Sequence, residues 1–226
     1  MVDVRLYALV DPRRAGAFAL DDLAHRIASG GATLIQLRDK ESDTRSFIAR
    51  ARRVKAKLRG LGAPLLINDR VDVALASEAD GVHLGQDDMT PQDARRLLGP
   101  RAIIGLTVRS LAEAEAAAVD CIDYVAIGGV FATTSKDKPD PPVGLGGFNA
   151  NAAAVRRRAP QMPIAAIAGI DRSNAADVIA AGADGVAVIS ALSLAADPAA
   201  AARELRAIVD RALAARGVDR AQARQA

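Results

Sequence analysis

The feature that most constrains the fold of this sequence is an alternation, repeated eight times, of short apolar runs and alanine-rich segments of helical period. Short runs without a polar face are typical of strands that are buried on both sides of a parallel sheet. The apolar runs predict strands at 6–10, 33–37, 64–67, 81–84, 102–106, 124–127, 163–167 and 185–188. The segments between them predict helices near 19–28, 44–59, 71–76, 91–98, 111–118, 149–158 and 173–180, with a last helix from 198 to about 216.

This alternation predicts a single-domain α/β protein, a (β/α)8 TIM barrel. Eight strand–helix units in 226 residues match the size of such a barrel. The alternative is a doubly wound open sheet, which usually has fewer strands. We place the barrel at residues 1–216 and expect 217–226 to be a disordered tail, because that stretch is polar and follows no apolar pattern.

Composition excludes several classes of function. The formal net charge is only +3 and aromatic residues make up 3%, which argues against nucleic acid as a partner. A single cysteine rules out an internal disulfide framework and suits a reducing compartment. No apolar run reaches membrane-spanning length, so we predict no membrane partner and a cytoplasmic location.

The end of the second predicted strand carries Gln36, Arg38 and Lys40 at alternate positions, which places them on one side of the chain. Chemistry in a barrel collects at the carboxyl ends of the strands. A guanidinium and an ammonium there are suited to clamp a diphosphate. The alternative is a strand exit whose charges simply face water.

Two carboxylates follow neighbouring strands. Asp69 comes directly after strand three and Asp88 shortly after strand four, so together they could hold one Mg²⁺ beside a diphosphate. The alternative is that each carboxylate caps the helix that follows it. Thr107, at the end of strand five, could bind a ligand or cap the next helix. We interpret His83 as a core histidine and His25 as a surface one.

The connection after strand six is unusually long for an α/β unit. It opens with Gly128 and Gly129, a possible hinge, and prolines at 139, 141 and 142 delay the next helix. Its hydroxyl groups and one ammonium group suit an anionic ligand, although a mobile surface loop would have a similar composition. These groups belong to Thr133, Thr134, Ser135 and Lys136.

The ends of the last two strands have a different character, offering mainly backbone donors. Gly169 follows strand seven, and Ile189 and Ser190 follow strand eight, where barrels commonly bind phosphate. Glycine lets its backbone N–H approach an anion closely. A diphosphate site that faces a monophosphate site suggests the transfer of a group between two ligands.

Taken in order, the motifs QLRDK, IND, GVHLGQDD, GLT, FATTSK, AIAGI and VIS resemble the thiamine phosphate synthase family over nearly the whole chain. The resemblance implies that 4-amino-2-methyl-5-hydroxymethylpyrimidine diphosphate is joined to hydroxyethylthiazole phosphate, with Mg²⁺ assisting the departure of diphosphate and a pyrimidine cation formed on the way. It implies that the partners are these small molecules, and leaves open whether the chain forms a homodimer.

The resemblance also assigns roles to residues. It implies catalytic roles for Arg38, Lys40 and Lys136, and metal binding by Asp69 and Asp88. The pyrimidine diphosphate would contact Gln36, Arg38, Lys40, Asn68, Thr107 and Lys136. The thiazole phosphate would contact Thr133, Thr134, Ser135, Gly169, Ile189 and Ser190.

Three positions depart from the family pattern. Asp39 stands where Glu is more usual, Ala168 stands where the family often has the first of two glycines, and Val10 stands where a Thr before the aspartate is commoner. Two functions remain as alternatives. A thiazole tautomerase would need an acid–base group after strand five, where this chain has Arg109, and a non-catalytic relative would be expected to lose the clamp or the carboxylate pair.

Overall fold

A computed structural model describes residues 1–133 and 141–223, with side chains described as far as Gly217. Eight parallel strands pair in chain order, and the last pairs with the first to close a barrel. The predicted fold is therefore confirmed, and the open-sheet alternative is wrong. The strands are β1 Leu6–Val10, β2 Leu34–Leu37, β3 Leu65–Asn68, β4 Gly81–Leu84, β5 Ile103–Val108, β6 Tyr124–Ile127, β7 Ile164–Ile167 and β8 Gly185–Val188.

Helices follow the strands and cover the outside of the barrel. A short 3-10 helix, Pro12–Arg14, comes after β1. The α-helices of the described chain are α1 Leu20–Ser29, α2 Thr44–Leu58, α3 Val71–Ser77, α4 Pro91–Leu98, α5 Leu111–Ala116, α6 Gly144–Arg158, α7 Ala175–Ala180, α8 Ser190–Ser193 and α9 Pro198–Ala223.

Alternation along the strands separates two apolar cores. The larger core lies between the strands and the helices. The smaller one fills the barrel, and among its buried members are Leu34 and Leu66 together with both tyrosines of the chain, Tyr7 and Tyr124. Two tyrosine hydroxyls inside a barrel need polar partners, and this requirement shapes the site.

Two helices extend more than one residue beyond their predicted bounds. The sixth was expected from 149, but α6 begins at Gly144, because the backbone N–H groups of Val143 and Gly144 donate to the carbonyls of Gly129 and Val130 at 2.7 and 3.1 Å. This anchoring compensates for a glycine-rich first turn of low helix propensity. The last helix continues to Ala223 instead of ending near Arg216. That 217–226 form a disordered tail stays a prediction.

Within residues 1–133 and 141–223, none of the helices combines the length and the apolar character that a membrane crossing would require.

Candidate active site at the barrel mouth

The charged side chains that follow β2 form ion pairs with carboxylates at the ends of the two neighbouring strands. Arg38 donates to the carboxylate of Asp11, which follows β1, at 2.5 Å, and Lys40 is ion-paired with Asp69, which follows β3. Asp11 is only 3% exposed, so Arg38 is held by a buried charge. Asp39, on the opposite side of the chain, pairs with Arg50 of α2. The alternation predicted at this exit is therefore present.

The backbone at Asp69 has an uncommon conformation. Its φ is 63°, in the left-handed region, and the N–H of Arg70 donates to the carbonyl of Asn68 at 2.7 Å. A three-residue turn closed in this way around a residue with positive φ is rare and strained. The N–H of Asp69 is held by the carbonyl of His83 at 2.8 Å. Such strain is commonly stored where a side chain has a functional position to keep.

The carboxylates of Asp69 and Asp88 lie close enough to interact. Burial raises the pKa of Asp69 above its ordinary value, and the neighbouring Asp88 acts in the same sense while Lys40 opposes both. Asp88 also accepts the N–H of Gly85 at 2.7 Å. A cation placed between the two carboxylates would remove the part of this rise in pKa that Asp88 contributes.

The capping alternative for these two aspartates is wrong. Helix α3 has Arg70 at its N-cap position and no side-chain cap, and α4 is capped by Thr90, whose hydroxyl accepts the N–H of Asp93 at 3.2 Å. Thr107 does not cap α5 either, since Ser110 does so. Each of the three predicted site residues is therefore free of the structural role that competed with ligand binding.

The donor set fits Mg²⁺ better than a metal with a complete protein cage. In the described residues, no group of three or more histidine, cysteine, aspartate or glutamate side chains could hold a metal ion. Mg²⁺ commonly binds one or two carboxylates and fills its shell with water and substrate phosphates. The pair Asp69 and Asp88 meets that requirement and leaves the remaining positions to a ligand.

A chain of polar side chains crosses the barrel interior beneath the mouth. The amide nitrogen of Gln36 donates to the hydroxyl of Tyr7, and the hydroxyl oxygens of Tyr7 and Tyr124 lie 2.8 Å apart. Nδ1 of His83 lies 2.7 Å from the Tyr124 hydroxyl, and Nε2 lies 2.7 Å from the hydroxyl of Thr107. The amide oxygen of Gln36 is buried and has no hydrogen-bond partner in the described chain.

Burial determines the ionisation of these hydrogen-bonded side chains. It lowers the pKa of His83 to about 4, with Asp88 opposing the shift, and it raises the pKa of both tyrosines. The imidazole is thus neutral near pH 7, and it stacks on Tyr124 with ring centroids 5.5 Å apart. The interpretation of His83 as a core histidine is confirmed, and His25 is exposed on α1 as predicted.

The glycine pair after β6 makes room for an arginine. A β-carbon at Gly128 would lie 3.1 Å from the Arg109 side chain, and one at Gly129 would lie 2.9 Å from its guanidinium. The hinge suggested for this pair stays a prediction. Thr133 lies in the part of this loop that the structure describes, whereas Thr134, Ser135 and Lys136 lie outside the described residues.

The end of β7 packs against the same loop. A β-carbon at Gly169, whose φ is 65°, would lie 2.3 Å from the carbonyl oxygen of Ala132, so only glycine fits there without a shift. Ala168 has a φ of 94°, a left-handed value that disfavours any side chain. The departure from the family pattern at Ala168 therefore falls on a position whose backbone favours glycine.

The end of β8 reaches the same mouth. Ile167 pairs with Ala187, so Gly169 and Ile189, each two residues further on, leave neighbouring strands at the same end of the barrel. Ile189 packs against the inner core, and Ser190 begins α8. The structure thus brings the described members of both predicted anion sites to one rim.

Reasoning from the sequence missed three residues of this site. Asp11 holds Arg38, and Tyr7 and Tyr124 join Gln36 to His83. A signal for the tyrosines was present, because both lie within predicted strands where a buried hydroxyl requires a partner. Asp11 could have been found as a carboxylate directly after β1, at the level of the other strand ends.

Comparison with known proteins agrees with this geometry. The family model described as thiamine monophosphate synthase matches residues 6–192. A thiamine-phosphate synthase of Agrobacterium fabrum is 55% identical over 95% of this chain and 98% of its own length, and one of Moorella thermoacetica is 47% identical over 92% and 96%.

The solved structure of a thiamine phosphate pyrophosphorylase from Pyrococcus furiosus superposes with a TM-score of 0.82 at 37% identity, covering 94% of this chain and 98% of that one. Sequence and fold thus agree along almost the full length, and the ordered mouth motifs lie within the matched region. The chain belongs to the thiamine monophosphate synthase family of transferases.

Proposed function

We propose that the chain joins 4-amino-2-methyl-5-hydroxymethylpyrimidine diphosphate to hydroxyethylthiazole phosphate, giving thiamine phosphate and diphosphate. The relatives' names support the overall reaction. The observation that carries the proposal for this chain is the convergence of Arg38 and Lys40 with the carboxylate pair Asp69 and Asp88 at one end of the barrel.

The cations of the β2 exit bind the diphosphate in this proposal. Arg38 offers a planar fork, held in place by the buried Asp11, and its side chain keeps 19% of its surface exposed. Lys40 is half exposed, so a phosphate can reach its ammonium group. Lys136 is assigned to the same diphosphate and Asn68 to the pyrimidine. These assignments follow from the match to the family motifs.

Asp69 and Asp88 would hold Mg²⁺, which supplies positive charge beside the departing diphosphate. Their contribution is a pair of carboxylates already brought together, one of them on a turn whose backbone N–H donates to the carbonyl of His83 at 2.8 Å. Burial is the main cause of the raised pKa of Asp69, and Asp88 adds to it; a cation bound to both carboxylates would offset the contribution of Asp88.

The reaction needs charge stabilisation more than proton transfer. The bond between the pyrimidine methylene and the diphosphate oxygen breaks with its electron pair leaving on oxygen, and the aminopyrimidine stabilises the cation that remains. The lone pair of the thiazole nitrogen then forms the new carbon–nitrogen bond. No general base is required, in keeping with His83, whose two ring nitrogens are both engaged in hydrogen bonds.

The thiazole phosphate is assigned to the ends of β7 and β8 and to the loop after β6. The close packing of Gly169 against Ala132 supports this assignment, because it places the glycine backbone beside the loop that carries Thr133. Gly169, Ile189 and Ser190 would supply mainly neutral donors, which suit a monophosphate. Thr134 and Ser135 complete the assigned set.

The experiment compares Asp88→Asn with Asp87→Asn, a matched control at the exposed neighbouring position. Thiamine phosphate and diphosphate are quantified from both substrates at increasing Mg²⁺ concentration. Asp88→Asn should lower turnover by orders of magnitude, about several kcal/mol of transition-state stabilisation. The control should retain turnover within about twofold, as surface substitutions usually do.

An asparagine at position 88 can still accept the N–H of Gly85, so the variant should fold. Near-normal turnover of Asp88→Asn with an unchanged Mg²⁺ requirement would refute the metal assignment. A wild-type protein that forms no thiamine phosphate under any Mg²⁺ concentration would refute the proposed reaction itself.

A further inference from the structure

The polar chain inside the barrel connects two residues that are assigned to the pyrimidine, Gln36 and Thr107. They lie on β2 and β5, and the link between them runs through Tyr7, Tyr124 and His83, on β1, β6 and β4. Each of these three is buried. The connection is therefore shielded from water, and each member depends on its neighbours for hydrogen bonding.

The number of hydrogen-bonding protons on these side chains restricts the direction in which each hydrogen bond can run. A tyrosine hydroxyl has one proton, and a neutral imidazole has one N–H. The amide nitrogen of Gln36 can only donate, so Tyr7 accepts from it. If Tyr124 also donated to Tyr7, the buried Tyr7 proton would have no acceptor among its described contacts. Tyr7 must then donate to Tyr124 if every proton is to be used.

The remaining steps follow from this order. The proton of Tyr124 goes to Nδ1 of His83, so the histidine carries its own proton on Nε2 and donates it to the hydroxyl oxygen of Thr107. Thr107 therefore has its hydroxyl proton left to donate. At the other end, the amide oxygen of Gln36 remains as a buried acceptor without a partner in the described chain.

We propose that Tyr7, Tyr124 and His83 form a positioning network that makes Gln36 a hydrogen-bond acceptor and Thr107 a donor, and thereby selects an aminopyrimidine over its oxo counterpart. An aminopyrimidine presents an amino donor and ring nitrogens that accept, which complement these two groups. In a 4-oxo pyrimidine the amino group is replaced by a carbonyl acceptor, which would face the Gln36 oxygen. The inference rests on the proposed function, because it concerns the pyrimidine substrate.

Mispairing in a buried site carries a large penalty. A carbonyl facing the Gln36 oxygen would leave both acceptors buried without a donor. We expect the wild type to bind the aminopyrimidine diphosphate at least about a hundredfold more tightly than its 4-oxo counterpart. If any one of the three linking residues loses its polar group, the amide of Gln36 can turn, and this ratio should fall.

The first measurement is the tautomer of His83, read from ¹⁵N chemical shifts in the full-length protein. The chain has only two histidines, and His83→Gln identifies which signals belong to His83. The expected result is protonation at Nε2. Protonation at Nδ1 would reverse the direction of the hydrogen bonds along the network and present the Gln36 amide to the ligand as a donor. That result would overturn the proposal.

The second measurement is the ratio of the dissociation constants of the two pyrimidine diphosphates, obtained by calorimetry for wild type and Tyr7→Phe. Tyr7→Phe removes one hydroxyl and keeps the ring, and the ratio should fall by about tenfold, the value of one hydrogen bond. Leu66→Val is the control, since Leu66 lies in the same inner core and pairs in register with Gln36 but has no polar group.

The control should lower thermal stability without changing the ratio, and binding of the thiazole phosphate should be the same in all three proteins. An unchanged ratio in a folded Tyr7→Phe would overturn the positioning role. Absence of pyrimidine binding in the wild type would instead be a failure of the proposed function, and the tautomer measurement would still report the proton order.

Discussion

Replacing Ala168 with glycine should make the protein more stable, although most substitutions of a partly buried residue destabilise. Ala168 has a φ of 94°, where the β-carbon approaches the following carbonyl. Two backbone hydrogen bonds hold this conformation, because the N–H groups of Val130 and Phe131 donate to the carbonyls of Ile167 and Ala168 at 3.2 and 3.1 Å. The strain therefore cannot be relieved by a local change in the backbone.

The expected gain is the difference between two effects. A left-handed residue with a β-carbon costs about 1–2 kcal/mol, which glycine removes. Glycine adds about 0.4–1 kcal/mol of entropy to the unfolded chain, which opposes the gain. The net stabilisation is about 1 kcal/mol, which corresponds to a rise in Tm of about 2–4 °C for a chain of this size.

Thermal and urea unfolding of Ala168→Gly and Ala181→Gly provide the assay. Ala181 directly follows α7 and has a φ of −67°, an ordinary right-handed value, so glycine there should lower stability by about 0.4–1 kcal/mol through the entropy of the unfolded chain. The two variants make the same chemical change at a left-handed and a right-handed position, and their shifts should have opposite signs. Equal destabilisation of both would show that Ala168 is not strained.

Three further predictions concern the mouth and the interior. Gly169→Ala should lower the free energy of unfolding by about 1–3 kcal/mol, because the β-carbon of the new alanine would meet the carbonyl of Ala132. It should also weaken thiazole phosphate binding, measured by calorimetry. Unchanged stability would contradict this packing. Asp11→Ala should weaken binding of the pyrimidine diphosphate by about tenfold through loss of the buried partner of Arg38, while Asp11→Asn should recover part of it; equal affinity in all three proteins would mean that Asp11 does not position the guanidinium. Folding lowers the pKa of His83 to about 4, so at a pH between about 6.5 and 4 the histidine is protonated in the unfolded chain and neutral in the folded one. The free energy of unfolding therefore decreases as the pH falls below about 6.5. The difference in unfolding free energy between wild type and His83→Gln should therefore narrow by about 2 kcal/mol between pH 7.5 and 5, and a constant difference in urea titrations would show that the imidazole is not buried in its neutral form.

The sequence alone determined the architecture and the end of the barrel at which the candidate site lies. Each strand had to be an apolar run, because a barrel strand is covered on both faces, and each run had to be followed by a helical period. The strand bounds predicted from this pattern agree with the structure to within one residue, except that β5 ends at Val108, two residues beyond its predicted end. Strand ends were also identified correctly, so Arg38, Lys40, Asp69 and Asp88 could be placed at one mouth from their spacing alone.

Only the tertiary structure decided which partners these residues have. The start of α6 at Gly144 depends on hydrogen bonds to Gly129 and Val130, which lie fourteen or fifteen positions earlier, and helix propensity contains no information about them. The chain from Gln36 to Thr107 joins five different strands, and its order around the barrel follows from closure and strand register. Hydrophobic periodicity is a local property that a sequence displays directly. The pairing of buried polar groups depends on which side chains the closed barrel brings within hydrogen-bond distance, and this is settled only in three dimensions.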